Sequence, residues 1–122
     1  MGEQFGREVV VGVLGDLAPG ATRKFLLPVE GEPIEAFVVN VGGTWHAWVN
    51  RCRHVALTMD WVENRFLDGD GLIVCATHGG RYEADTGLCV AGPPVGRRLI
   101  RVPLRIVEGR VIATVPDVEK LR

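Results

Sequence analysis

The sequence predicts an all-β fold, a small antiparallel sandwich or barrel. Two observations carry that expectation. Sixteen glycines and seven prolines punctuate the 122 residues every few positions. Between them lie short runs rich in Val, Ile, Leu and Phe, as in strands joined by tight turns. Segments able to hold even one helical turn are confined to Asp16–Gly20 and Asp60–Phe66.

The expected strands are Glu8–Val13, Lys24–Leu27, Glu35–Val41, Thr44–Val49, Leu72–Cys75, Gly80–Glu83, Leu99–Val107 and Arg110–Val115. Gly42-Gly43 separates two of them and supplies the positive φ that a two-residue hairpin turn needs. Glu108-Gly109 does the same between Leu104–Val107 and Val111–Thr114. Gly31-Glu32-Pro33 reads as a third turn. The chain reads as one domain, residues 1–122, in which a segment of about 49–94 carries something beyond the scaffold.

Charge and composition exclude several classes. Fourteen basic and fifteen acidic side chains leave a net charge of −1. No basic field is available to hold nucleic acid. No apolar run approaches the roughly 18 residues that span a bilayer, so no membrane partner is expected. Residues Met1–Val13 carry Glu3, Arg7 and Glu8 and lack the layout of a signal peptide. The expected compartment is the cytoplasm. Three cysteines, Cys52, Cys75 and Cys89, argue against a disulfide framework and for metal ligation or buried thiols.

The chemistry is concentrated in two segments. One reads Cys52-Arg53-His54, the other Cys75-Ala76-Thr77-His78. A structural zinc site of two Cys and two His is one reading, although Cys-x-His is tight for two ligands on one tetrahedral ion. Unrelated loop residues are a second, and the matched pairing weighs against it. A binuclear iron–sulfur cluster is the third, because the members of each pair then need not share an ion.

The surroundings of the pairs resemble the Rieske family. Its pattern is Cys-x-His in one loop and Cys-x-x-His-Gly in the other, then an aromatic, an acidic residue before a Gly turn, and a Gly-Pro segment. Here Gly79, Tyr82, Asp85-Thr86-Gly87 and Gly92-Pro93-Pro94 follow in that order. The likeness spans about Ala36 to Val115. It implies a Rieske-like antiparallel β fold and a Rieske 2Fe-2S cluster. It implies that Cys52 and Cys75 bind one iron and His54 and His78 the other. Two thiolates leave the oxidised site neutral where four would leave it a dianion, so an electron enters more easily. The expected potential rises from about −400 mV to roughly −150 to +300 mV.

In its departures from the pattern the chain resembles the low-potential, ferredoxin-like branch. Gly80 stands where high-potential members have Ser, and Leu57 and Thr77 stand where they have an extra Cys pair. Ala56 replaces a frequent Gly in the first segment, with Leu57 and Met59 expected to pack under it. Tyr82 is read as a core filler with its hydroxyl turned to water, the alternative being that this hydroxyl donates one hydrogen bond, and Cys89 as a small buried hydrophobe. His46, beside Trp45 and Trp48, is read as structural. Gly92-Pro93-Pro94 is read as a rigid lid, and Arg53, Trp61 and Arg81 as the rim of a partner contact.

The resemblance implies a one-electron carrier between a protein reductase and an acceptor such as a ring-hydroxylating oxygenase. The alternatives are a small electron-transfer subunit of a larger oxidoreductase, nitrite-reductase-like, and a redox or iron sensor. With four ligands assigned, only His46 remains, too few for a second, mononuclear iron site. No Gly-rich dinucleotide fingerprint is present. The charge argument makes a direct prediction. Replacing His78 with Cys lowers the midpoint potential in voltammetry wherever a cluster still assembles; a higher midpoint contradicts it.

Overall fold

The computed structural model describes residues 8–29, 34–50, 67, 71–74, 80–92 and 98–116. Among them lie nine strands: β1 Glu8–Val13, β2 Thr22–Leu27, β3 Ile34–Val41, β4 Thr44–Val49, β5 Ile73–Val74, β6 Arg81–Tyr82, β7 Cys89–Ala91, β8 Leu104–Val107 and β9 Arg110–Thr114. They form three antiparallel three-stranded sheets, ordered β1-β9-β8, β2-β3-β4 and β5-β6-β7. The all-β expectation holds.

The middle sheet organises the rest. Side chains alternate across a strand, and β3 is apolar at every position from Ala36 to Val39. Both of its faces are therefore buried. Ala36 and Val38 of β3, with Ala47 and Val49 of β4, face one core shared with Val11, Val111, Ala113 and Val102. Phe37 and Val39, with Trp48, face a second core shared with Ile73, Tyr82, Ala84, Cys89 and Leu99. The first core joins the middle sheet to β1-β9-β8. The second joins it to β5-β6-β7. Phe37 and Trp48 are almost fully buried, and burial of a side chain such as Phe37 contributes about 1.5–3 kcal/mol.

The hairpin turns follow the sequence. Gly42 and Gly43 have φ of 59° and 100°, and Glu108 and Gly109 have 51° and 79°. Both are two-residue turns with positive φ throughout. Asn40, buried beside the first turn, completes it. Its Nδ2 donates to the Leu17 carbonyl at 2.8 Å, and its Oδ1 accepts from Gly43 N at 2.7 Å. The outer sheet is closed across its strands by Arg105, which donates from Nε and Nη2 to Glu8 at 2.8 Å each. Those bonds hold the Glu8 carboxyl below the usual carboxylate range.

Two expectations need correction. Leu99–Val107 is not one strand. Regular pairing starts only at Leu104, while Arg98 and Arg101 make isolated bridges to Leu88 and Trp48. Pro103 has no N–H to offer a ladder. The preceding residues instead donate to separate partners, Leu99 N to Gly87 O and Val102 N to Ala47 O, both at 2.9 Å. The strand β7 was not expected at all. Residues 16–20 form turns and bends without a helix. The expected turn at Gly31-Glu32-Pro33 and the possible helical turn at Asp60–Phe66 lie outside the described residues.

Candidate metal centre

The four residues singled out by their spacing, Cys52, His54, Cys75 and His78, lie outside the described residues. So do Arg53, Ala56, Leu57, Met59, Trp61, Thr77, Gly79, Pro93 and Pro94. The flanking structure is described on both sides. The first segment leaves β4 at Asn50. This side chain is buried and fixed: its backbone N donates to Glu35 O and its Nδ2 to Glu35 Oε1, each at 2.9 Å. The second segment runs from β5 to β6, which pair with Ile73 opposite Tyr82 and Val74 opposite Arg81. Trp48, Ile73 and Tyr82 all belong to the second core. The strands leading to both Cys-x-His and Cys-x-x-His thus rest on one apolar cluster.

A hydrogen-bonded strap fixes the small sheet on the scaffold. The turn after β6 is stapled internally by Gly87 N to Glu83 O at 2.8 Å, and by Thr86 Oγ1 to Glu83 Oε1 at 2.7 Å. Its four consecutive carbonyls, Ala84 to Gly87, then each accept a bond from elsewhere in the chain. Trp48 Nε1 donates to Ala84 O at 3.1 Å and Arg101 Nη2 to Asp85 O at 2.7 Å. Arg98 Nη1 donates to Thr86 O at 3.4 Å and Leu99 N to Gly87 O at 2.9 Å. The Arg98 contact is the longest and is exposed, so it contributes least.

Gly87 explains why the sequence places glycine here. Its φ is +75°, and an added Cβ would sit 2.5 Å from Trp48 Cζ3. The indole ring lies where a side chain would be. Arg101 also lies over the Trp48 ring, its Cζ 4.4 Å from the ring centroid. Arg101 Nη1 is also 3.2 Å from His46 Nδ1. Arginine always donates, so Nδ1 is the acceptor and the proton of neutral His46 sits on Nε2.

Several expected roles can now be placed. His46 is structural as expected, with Arg101 as its partner. Cys89 is buried, its thiol donating weakly to Ala91 O at 3.4 Å. Arg81 is exposed, as a rim residue must be. Tyr82 is a correction: it is fully buried, so its hydroxyl is not turned to water. Strand pairing with Ile73 and Cys89 draws the ring into the second core. Sequence reading missed Arg98 and Arg101, because contacts made across more than ten residues leave no local spacing to detect.

The scaffold is an antiparallel β domain in which one Cys–His segment follows β4 and the other joins β5 to β6. The chain belongs to the Rieske [2Fe-2S] domain family, whose model matches residues 7–116, and its cofactor is a Rieske-type 2Fe-2S cluster. Similar folds occur in solved structures. The ferredoxin of carbazole 1,9a-dioxygenase from Nocardioides aromaticivorans IC177 is 22% identical, with a TM-score of 0.64 over 90% of this chain and 99% of that one. A complex of reduced oxygenase and oxidized ferredoxin in carbazole 1,9a-dioxygenase contains a chain 27% identical, with a TM-score of 0.67 over 89% of this chain and 94% of that one. The terminal oxygenase of carbazole 1,9a-dioxygenase from Novosphingobium sp. KA1 is 22% identical, with a TM-score of 0.69 over 92% of this chain but 30% of its own length. Among curated proteins no sequence matches.

The geometry at Gly87 predicts an unequal pair of substitutions. Gly109 has a similar φ of +79°, and an added Cβ there meets nothing within 4 Å. Gly109→Ala costs only the backbone conformation, about 1–2 kcal/mol. Gly87→Ala adds overpacking against a rigid ring, about 1–3 kcal/mol more. Chemical denaturation followed by circular dichroism measures both; equal losses would show that the Trp48 contact is not tight.

Proposed function

We propose that this chain is a ferredoxin: a one-electron carrier in which Cys52, His54, Cys75 and His78 hold the cluster. The observation that carries this reading is the family match across residues 7–116, joined to the donor set within it. Two thiolates and two imidazoles are the mixture that distinguishes a Rieske centre from an all-cysteine cluster. The strand ends support the same set. Asn50, two residues before Cys52, is anchored by two bonds to Glu35, and Val74, next to Cys75, is paired in β5.

A Rieske centre supplies reversible uptake and release of one electron. This chain's own residues hold it on a rigid support. Asn50 fixes the approach to the first ligand pair. The carbonyl strap of residues 84–87 fixes the hairpin that carries the second. Rigid attachment keeps the geometry similar in both oxidation states and limits reorganisation on electron transfer. Gly80 brings no hydroxyl where a donor to the sulfurs could raise the potential, which assigns the chain to the low-potential branch.

The partners are a protein reductase and a protein acceptor of the ring-hydroxylating oxygenase class. The 27% identical chain that supports this is a component of a ferredoxin–oxygenase complex, matched over 94% of its length. Among the described residues no helix is long and apolar enough to cross a membrane, and we place the protein in the cytoplasm. A second reading has a specific observation behind it. The same fold makes up 30% of a terminal oxygenase chain, which supports reading this chain as an internal relay within a larger enzyme.

Anaerobically purified protein separates these outcomes. The expected result is two irons and two sulfides per chain. The dithionite-reduced protein is expected to give a paramagnetic resonance spectrum with a mean g below that of all-cysteine clusters. Mixed with a ring-hydroxylating oxygenase, the reduced protein reoxidises by one electron per chain. Zinc or no metal would refute the assignment. Tight co-purification with a larger subunit, without exchange with free oxygenase, would favour the internal relay.

A further inference from the structure

Arg101 stands at the crossing of three elements. It lies in the segment between β7 and β8 and bridges Trp48 of β4. Its guanidinium touches three groups at once: the Asp85 carbonyl at 2.7 Å, the Trp48 ring at 4.4 Å and His46 Nδ1 at 3.2 Å. The first two contacts secure the turn that follows the second ligand hairpin. The third is different in kind, because it exists only while His46 is neutral. A protonated imidazole has two donors and no acceptor, and would set one cation against another.

We propose that Arg101 is a positioning residue for the cluster-bearing sheet, and that neutral His46 holds it in place, so that protonation of His46 loosens the attachment of that sheet. The proposal rests on the cluster assignment above for its consequence, and on the contacts of Arg101 for its cause.

The surroundings of His46 support the direction. Among the described residues the charged groups that act on it are Arg101 and Asp85. Across β3 its partner in register is Val39, followed on β2 by Thr22, neither of which is charged. Burial pulls the imidazole below the ordinary histidine range, Arg101 pulls it further, and Asp85 partly opposes them. The unfolded chain therefore binds this proton more readily than the folded one. The contribution to stability is whole above the ordinary histidine pKa and is lost as pH falls through that value toward the depressed one. The contact becomes sensitive on the acid side of neutrality.

A lysine cannot replace Arg101. The contacts need a planar group that stacks on indole while donating in two directions, and an ammonium on a flexible stem does not offer that. A glutamine at position 46 removes the titration while keeping an acceptor.

The test compares wild type, His46→Gln, Arg101→Gln and Arg101→Lys as holoproteins between pH 8 and pH 5. Midpoint potential and the g values of the reduced protein are read at each pH. The Trp48 indole N–H resonance, assigned with Trp48→Phe, is followed in parallel. Wild type is expected to show a one-proton step below the ordinary histidine pKa in all three readouts. His46→Gln is expected to match wild type at pH 8 and show no step. Both Arg101 variants are expected to show the acid-like values at every pH. A step that persists in His46→Gln, or an Arg101→Gln protein identical to wild type at pH 8, would overturn the proposal and leave the cluster assignment standing. Protein without iron would overturn the assignment instead, and the Trp48 resonance alone would then decide whether His46 governs the Arg101 contact.

Discussion

The structure depends on one constraint: the β3–β4 hairpin is buried on both faces. A strand exposed on one side needs only alternate apolar residues. Ala36 to Val39 are apolar without a break and are fully buried, which requires a layer on each side. The β1-β9-β8 sheet supplies one layer. The small β5-β6-β7 sheet supplies the other, so the strands on either side of the second Cys–His segment are part of the core and not an appendage. Trp48 is the pivot, since it fills the second core, donates to Ala84 O and occupies the space a side chain at residue 87 would need.

This arrangement gives the β5–β6 hairpin a polar attachment as well as an apolar one. Four consecutive carbonyls in the turn after β6 accept bonds from scaffold donors. Backbone acceptors that leave water need partners, and here the partners also set orientation. Two of the donors are side chains whose own positions are fixed, Trp48 by burial and Arg101 by stacking and by His46. The attachment of the β5-β6-β7 sheet therefore depends on Trp48 and Arg101 as well as on apolar burial.

Much of this was legible in the sequence, for definite reasons. Gly42-Gly43 and Glu108-Gly109 announce hairpins because few residues tolerate their φ. The two Cys–His segments stand out because each pairs a Cys with a nearby His and the residues that follow repeat a family pattern. The failures are equally physical. β7 has three residues, too few for alternation to register. Pro103 breaks a run that otherwise looks continuous from Leu99 to Val107. The burial of Tyr82 is set by partners on β5 and β7 that only the fold brings together. Arg101 was invisible because its partners, His46, Trp48 and Asp85, lie from 16 to 55 residues away.

The central claim is that the scaffold presents a mixed donor set, two thiolates and two imidazoles, to one binuclear cluster. Pulsed electron paramagnetic resonance of the reduced protein, prepared with ¹⁵N-histidine and compared with natural-abundance material, examines that directly. The account predicts two distinct histidine nitrogens strongly coupled to the electron spin, both changing on isotope substitution. A spectrum with no directly bound nitrogen would contradict it.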